Sequence, residues 1–530
     1  MRKVHQLTLT EQRRFDAQSV LDGLKTQAER NRMGQFATPF PLALEILSYA
    51  NKLVAHGQDI RFLDPAFGTG AFYSALLRAF PADQIESAAG FEIDRHYGDP
   101  ATELWGNTGL EIRLSDFTKE QPSRRGYNLV ICNPPYVRHH HIVNGEKARI
   151  QAATRGACGV NFGGLSGLYC YFMGLSHAWM AEGGIAGWLI PSEFMDVNYG
   201  KEVKNYLLNK VRLLHVHRFD PFEIQFGDAL VSSAVVWFRK EKPPPDYEVE
   251  FSFGGTLSVP KVNRMVSARD LRSEKKWTRF PVSEVRGKED ILKLSDFFSI
   301  QRGIATGDND FFILTPQQIA EHGLPPDFFK PILPSPRYLR VGEVAADEFG
   351  NPAIENPLFL LDRRLPETRV KRSFPSLWKY FQEGKEAGVA DRYLCQHRSP
   401  WYAQENRPAA PFVCTYLGRG NVKSGRPFRF ILNQSRATVT NVYLALYPKP
   451  NLAQVLGQQP TLIRQVWEIL NDISPNTMLA EGRVYGGGLH KLEPKELANV
   501  PAQPLADLFS KFSALRKNYT PYLQTRITDL

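Results

Sequence analysis

IRFLDPAFGTGAFYSALLRAF (60–80) decides the fold of this chain. A short apolar run ends in Asp64, Gly68 and Gly70 follow, and apolar residues then recur at helical spacing. A buried strand that turns through glycines straight into a helix opens an α/β sheet, because glycine lets the backbone reverse tightly and approach a ligand. The spacing is not G-x-G-x-x-G, and no Lys-Ser/Thr follows Gly70 to make a P-loop. Alone, such a loop is equally a structural turn.

The pattern continues outward. SAAGFEID (87–94), YNLVIC (127–132), GIAGWLIP (184–191), RLLHVHRF (212–219) and SSAVVWFRK (232–240) read as strands. LYCYFMGLSHAWMAEGG (168–184) and GKEVKNYLLNKV (200–211) read as helices between them. This alternation predicts a doubly wound, mainly parallel sheet ending at Arg239, with KEKPPPD (240–246) as a domain linker. Phe15, Val20 and Leu24 set the apolar face of a leading amphipathic helix. The expected division is a helical extension over 1–30, the α/β domain over 31–241, a proline-rich and basic linker over 242–290, and an irregular α+β domain over 291–530.

Composition narrows the class. In 530 residues, 43% are hydrophobic and 23% charged, which excludes disorder and repeats. Five scattered cysteines with no C-x-x-C pair exclude a disulfide scaffold or zinc ribbon and fit buried thiols in a cytoplasm. No apolar run spans a membrane, and the basic N-terminus lacks a secretory apolar core. Lys+Arg 65 against Asp+Glu 55 leaves +10, a balance that suits a polyanionic partner.

Glu92 follows the second strand about 20 residues after the glycine loop, where such folds grip ribose hydroxyls. Ser115-Asp116-Phe117 ends a third strand region. Three carboxylates at strand ends without cationic neighbours favour a nucleoside lacking phosphates. Asn133-Pro134-Pro135-Tyr136 follows the next strand. Its prolines remove two donors, so the Asn133 side-chain oxygen and the Pro134 carbonyl are left to accept both hydrogens of a planar amino group, with Tyr136 as a stacking face. Arg138-His139-His140-His141 is not expected to bind metal, because adjacent histidines diverge and no carboxylate lies nearby. Tyr169, Phe172 and Trp179 read mostly as core.

From Asn406 to Trp467 there is no Asp or Glu, while Arg407, Arg419, Lys423, Arg426, Arg429 and Arg436 fall inside. Phosphate contact explains so long an acid-free stretch. Arg302, Arg419, Lys423, Arg426, Arg429 and Arg436 are the candidate DNA ligands.

The order GQFATP (34–39), DPAFGTG (64–70), FEID (91–94), SDF (115–117) and NPPY (133–136) resembles the gamma-class N6-adenine DNA methyltransferases of type II restriction–modification systems. GLYCYF (167–172), GGIAGWLIPSEF (183–194) and FGDALVSSAVV (226–236) continue the likeness. QRGIATGDNDFF (301–312) and RVYGGGLHKLEP (483–494) extend it more loosely. The resemblance implies a class I methyltransferase domain followed by a DNA target-recognition domain. Thr38, Asp64, Ala66, Gly68 and Gly70 would hold S-adenosylmethionine, Thr38 and Ala66 at its methionyl end. Glu92 would bind its ribose, Asp116 its adenine amino group, and Phe117 and Phe172 its ring and pocket. Asn133, Pro134, Pro135 and Tyr136 would be catalytic, with Phe226 stacking on a flipped adenine. Phe67 departs from the small residue or Cys usual there.

The implied reaction needs no metal. It would act on double-stranded DNA, as a monomer, protecting it from a separately encoded restriction enzyme; the residues ahead of the cofactor motifs are too few for a fused nuclease. The alternatives are a glutamine-amide protein methyltransferase, which would lack the basic C-terminal half, and a silent DNA-binding specificity subunit, which would not need Asn133.

Overall fold

The computed structural model describes residues 2–221, 232–280, 292–419, 426–485 and 489–510. Two compact units divide it, with their boundary between Phe280 and Leu292.

The first unit is built on β1 (Ile60–Asp64), β2 (Ile85–Phe91), β3 (Leu110–Arg113), β4 (Tyr127–Cys132), β5 (Met180–Pro191), β6 (Arg212–Arg218), β7 (Ser233–Arg239), β8 (Glu248–Gly255) and β9 (Pro260–Ser267). They lie in the order β3-β2-β1-β4-β5-β7-β6-β8-β9. β3 to β5 in that order pair in parallel, and β7 runs antiparallel to both β5 and β6. This is the doubly wound, mainly parallel sheet that the strand pattern predicts.

Successive residues along a strand face opposite sides. Leu63, Val130 and Cys132 therefore enter one apolar cluster, and Phe62, Leu129 and Ile131 the other. Each such side chain, fully buried, contributes about 1.5–3 kcal/mol. Helices α1 (Arg2–Gly23), α2 (Gln27–Met33), α3 (Phe40–Leu53), α4 (Ala71–Ala79), α5 (Arg95–Trp105), α6 (Asn144–Cys158), α7 (Leu168–Ser176), α8 (Gly200–Asn209) and α9 (Ala268–Ser273) complete the unit. Helix α7 ends sooner than expected, because Met180 already belongs to β5.

Two expectations fail. The sheet does not end at Arg239: β8 pairs in parallel with β6, and β9 antiparallel with β8. The prolines only make the connection. Val249 and Phe251, alternating with polar neighbours, are buried, so much of 242–290 is sheet and helix rather than linker.

Helix α1 is present but turned over. Phe15, Val20 and Leu24 are 55%, 64% and 71% exposed, whereas Glu11 and Arg14 are buried. Glu11, Arg14, Gln18 and Asp22 recur at i, i+3, i+7 and i+11, one helical face, and that face bonds to the sheet's loops. Polar partners, not apolar burial, chose it.

The second unit is irregular α+β. Phe298–Arg302, Tyr443–Pro448, Phe412–Thr415, Phe430–Asn433 and Glu343–Val344 form, in that order, a five-stranded sheet, accompanied by two three-stranded sheets and short helices. Among the described residues no helix is long and apolar enough to cross a membrane.

Candidate active site

The glycine loop after β1 is shaped from beneath. Asp64 is 1% exposed, and its carboxylate accepts from the Ala66 N–H at 3.1 Å. Burial, with some help from Glu92, pushes the Asp64 carboxyl up to about 8. Phe67 points down into the core rather than into the cleft. A Cβ on Gly90 would meet its ring at 2.4 Å, and one on Gly70, at φ +90°, would meet its edge at 2.6 Å. Two glycines thus make room for the residue that departs from the family pattern.

Gly68 remains open: a Cβ there would have nothing within 4 Å. Its N–H donates to Glu92 Oε2 at 2.8 Å, and the Asp94 N–H to Oε1 at 2.7 Å. Glu92 is therefore held at the cleft with both oxygens oriented; burial raises its pKa despite these bonds. Asp94 caps α5 and accepts from Gln35 Nε2 at 2.7 Å and from Lys25. Burial raises the Asp94 carboxyl, but these donors outweigh it and hold the group below its ordinary value.

Asp116 caps a short turn, accepting from the Thr118 N–H at 2.9 Å, with Lys119 at 3.6 Å. So a strand-end carboxylate does have a cationic neighbour. The Phe117 ring lies 5.3 Å from Phe91 and 5.4 Å from Phe172, an aromatic wall.

The N-P-P-Y loop is held by the segment before α3. Gly34, at φ +67°, accepts from the Tyr136 N–H at 3.2 Å; a Cβ there would lie 2.4 Å from that nitrogen. Asn133 Nδ2 donates to the Phe36 carbonyl and to Thr38 Oγ1, both at 3.0 Å. A carbonyl can only accept, so this pair fixes which way the amide faces. Asn133 Oδ1 is left buried with no partner among the described residues. Tyr136 is pinned by its hydroxyl, which donates to the Leu189 carbonyl at 3.0 Å, and burial raises its pKa.

These elements enclose a cleft of about 520 Å³. It gathers Ala66, Gly68, Glu92, Asp116, Phe117, Asn133, Pro135 and Phe172 of the sequence candidates. Thr38, Asp64, Gly70, Pro134 and Tyr136 do not line it; they shape what does. Phe226 and Lys423 lie outside the described residues. Gln18 and Asp22 of α1 and Gln35 of the following segment also line the cleft, unforeseen. Gln18 accepts from Thr69 Oγ1 at 2.6 Å, and Arg14 donates to the same hydroxyl at 2.9 Å.

Among the described residues no cluster of His, Cys, Asp and Glu is arranged to hold a metal. Tyr169 and Trp179 are buried, and all five cysteines are buried and free. In the second unit, Arg302 stacks over Tyr416 at 4.2 Å, Arg426 donates to the Asn471 carbonyl at 2.6 Å, and Arg436 donates to the Phe349 carbonyl. Arg429 donates to three carbonyls. Arg419 lies on the strand Leu417–Arg419.

Comparisons with known proteins converge. Residues 94–224 match the Eco57I restriction-modification methylase model, and residues 275–525 the C-terminal domain of Type II methyltransferase M.Eco57I. The chain is 28% identical over 496 residues to Type II methyltransferase M.XamI of Xanthomonas campestris pv. amaranthicola, covering 90% of this chain and 86% of that one. It is 26% identical over 486 residues to Type II methyltransferase M.AccI of Acinetobacter calcoaceticus, covering 88% and 85%. Among solved structures it is similar to the Type IIL restriction-modification enzyme MmeI in complex with DNA, at 14% identity and TM-score 0.49, covering 82% of this chain and 61% of that one. The chain belongs to the methyltransferases of type II restriction–modification systems.

Proposed function

We propose that this chain methylates N6 of adenine at a specific DNA sequence, using S-adenosylmethionine and taking the target base out of the duplex. The observation that carries this reading is Asn133 Oδ1, a buried acceptor with no partner among the described residues, fixed by two bonds on its own amide nitrogen. A buried acceptor left unmet costs about 1–3 kcal/mol, so the site is built for a donor that arrives with substrate. An exocyclic amino group is such a donor.

The cleft's donor set fits the cofactor. Glu92 presents carboxylate edges to ribose hydroxyls, Asp116 can accept from an adenine amino group, and Phe117 and Phe172 offer ring faces. Gly68, free of a side chain, allows close approach of the methionyl end. S-adenosylmethionine, when bound, supplies an electrophilic methyl on a sulfonium. The protein's part is geometric and electrostatic. Asn133, with the Pro134 carbonyl, accepts the amino hydrogens, favours a pyramidal nitrogen and directs its lone pair outward. That is stabilisation by preorganised acceptors. Flipping the base costs a few kcal/mol, offset by stacking in the site, where Phe226 is the proposed partner. The basic residues of the C-terminal unit hold DNA; the protein acts as a monomer, opposite a separate restriction enzyme.

The test is modification mapping of DNA from cells expressing the chain, beside Asn133→Ala. New N6-methyladenine in one sequence context is expected from the wild type. The variant should bind cofactor normally yet lose about 2.7–4 kcal/mol of transition-state stabilisation. Well-expressed wild type that leaves no methylated adenine would sink the reading.

A further inference from the structure

The segment Pro334–Val341, PSPRYLRV, is held more firmly than its exposure requires. Two prolines restrict its backbone. The Ser335 carbonyl accepts from the N–H of Tyr338 at 2.8 Å and of Leu339 at 3.1 Å, closing a turn. The buried Tyr443 hydroxyl donates to the Pro334 carbonyl at 2.7 Å. Arg429 completes the hold: Nη2 donates to the carbonyls of Leu339 at 2.6 Å and Pro336 at 3.3 Å, and Nη1 to that of Arg340 at 3.2 Å. Leu339, 3% exposed, plugs the turn into an apolar cluster with Leu333 and Val344.

What this rigid turn presents is unusual. Tyr338 is 74% exposed, and Arg337 and Arg340 beside it are exposed too. Among the described residues none of the three side chains makes a hydrogen bond, an ion pair or a ring contact. No acid occurs from Leu333 to Gly342, so the two guanidiniums and that of Arg429 reinforce one another's potential. The acid-free stretch from Asn406 to Trp467 behaves differently, since its described arginines largely turn to backbone carbonyls. The uncompensated cations sit on the turn that one of those arginines supports.

A planar ring between two free guanidiniums, on a backbone fixed in advance, complements a polyanion that also offers flat apolar faces. Duplex DNA has both once a base pair is opened, as the base flipping proposed above requires; in the closed stack the base faces are covered. An acidic peptide would use the cations and leave the ring idle. Resting on the DNA-methylating function proposed above, we propose that the 334–341 turn contacts target DNA, with Arg337 and Arg340 on phosphates and Tyr338 against the bases between them. Arg429 is then a positioning residue for this turn rather than a phosphate ligand.

The experiment uses the full chain and unmethylated mixed-sequence duplex made by amplification. Fluorescence anisotropy against salt reads binding without turnover, and methyl transfer reads kcat/KM for DNA. Arg337→Ala and Arg340→Ala should each reduce the slope of log affinity against log salt by about one unit. Tyr338→Ala should lower kcat/KM roughly 5- to 140-fold, the equivalent of one lost base–aromatic contact, and Tyr338→Phe should restore it. Melting temperatures should match the wild type, since none of these side chains is buried. An unchanged slope and unchanged kcat/KM, the result for a turn that docks a protein, would overturn the proposal. Wild type that binds duplex with these slopes but transfers no methyl would overturn the function and leave the turn's contact standing.

Discussion

Thr38→Val separates two roles for one hydroxyl. The family resemblance puts Thr38 at the methionyl end of the cofactor, whereas the structure has it accept from Asn133 Nδ2 at 3.0 Å, outside the cleft lining. Valine keeps the shape of the buried side chain and removes the acceptor. One of two bonds holding the amide is then lost and an N–H is left unmet. Turning the amide over would still set Oδ1 against the Phe36 carbonyl, so orientation weakens without collapsing. About 1–2 kcal/mol is the expected loss, a fall of about 5- to 30-fold in the rate of transfer. That must remain smaller than the effect of removing Asn133 itself. Single-turnover transfer of labelled methyl, beside equilibrium cofactor binding, reads the two roles apart. The expected pattern is a slower transfer, unchanged cofactor affinity and rescue by Thr38→Ser. Weaker cofactor binding with an unchanged transfer rate would refute the positioning argument and return Thr38 to the cofactor.

Asp64→Asn tests the buried acid. Its folded pKa, about 8, exceeds the unfolded value of about 3.9, so the stability that goes with its proton is full below the unfolded value and is lost as pH rises through about 8. The variant should gain on the wild type across that window in urea unfolding and level off above it; a difference independent of pH would count against the assignment. Gly34→Ala adds about 1–2 kcal/mol of left-handed strain and a Cβ 2.4 Å from the Tyr136 nitrogen. Transfer should fall more than about tenfold with the circular dichroism spectrum kept, and normal activity would show that the two loops do not depend on each other. Arg14→Ala leaves Glu11 buried without its partner and should cost about 3–5 kcal/mol in denaturant unfolding. Arg14→Ala combined with Glu11→Ala should recover part of that, and no recovery would mean the pair is not coupled.

The central strands were legible because parallel strands covered on both faces are continuous apolar runs; YNLVIC and GIAGWLIP could hardly be anything else. β8 was missed because its signal is alternation, Val249 and Phe251 between polar residues, behind a run of prolines. The helix at 2–23 was legible as a helix, but its facing was not. An apolar stripe predicts burial only when the partner surface is apolar, and here Thr69, Tyr97 and the Gly68 loop ask for polar groups. Glu92, Asp116 and Asn133 could be placed because strand ends converge at one edge of such a sheet. Gln18 and Asp22 could not, since their proximity to the cleft arises only when the chain returns on itself.

No described side chain before Phe36 enters either apolar cluster of the first unit. Helix α1 therefore attaches as a polar interface does, through hydrogen bonds of Arg14 and Gln18 with Thr69, of Asp22 with Tyr97 and of the Leu21 carbonyl with His96. Lifting it would uncover hydroxyls and carboxylates rather than a sticky surface, and the exposed bonds among them weaken with salt. The wall of the cleft that carries Gln18 and Asp22 is thus set by polar bonds, and its position answers to single hydrogen-bond deletions where the strand-end residues answer to the packing of the core.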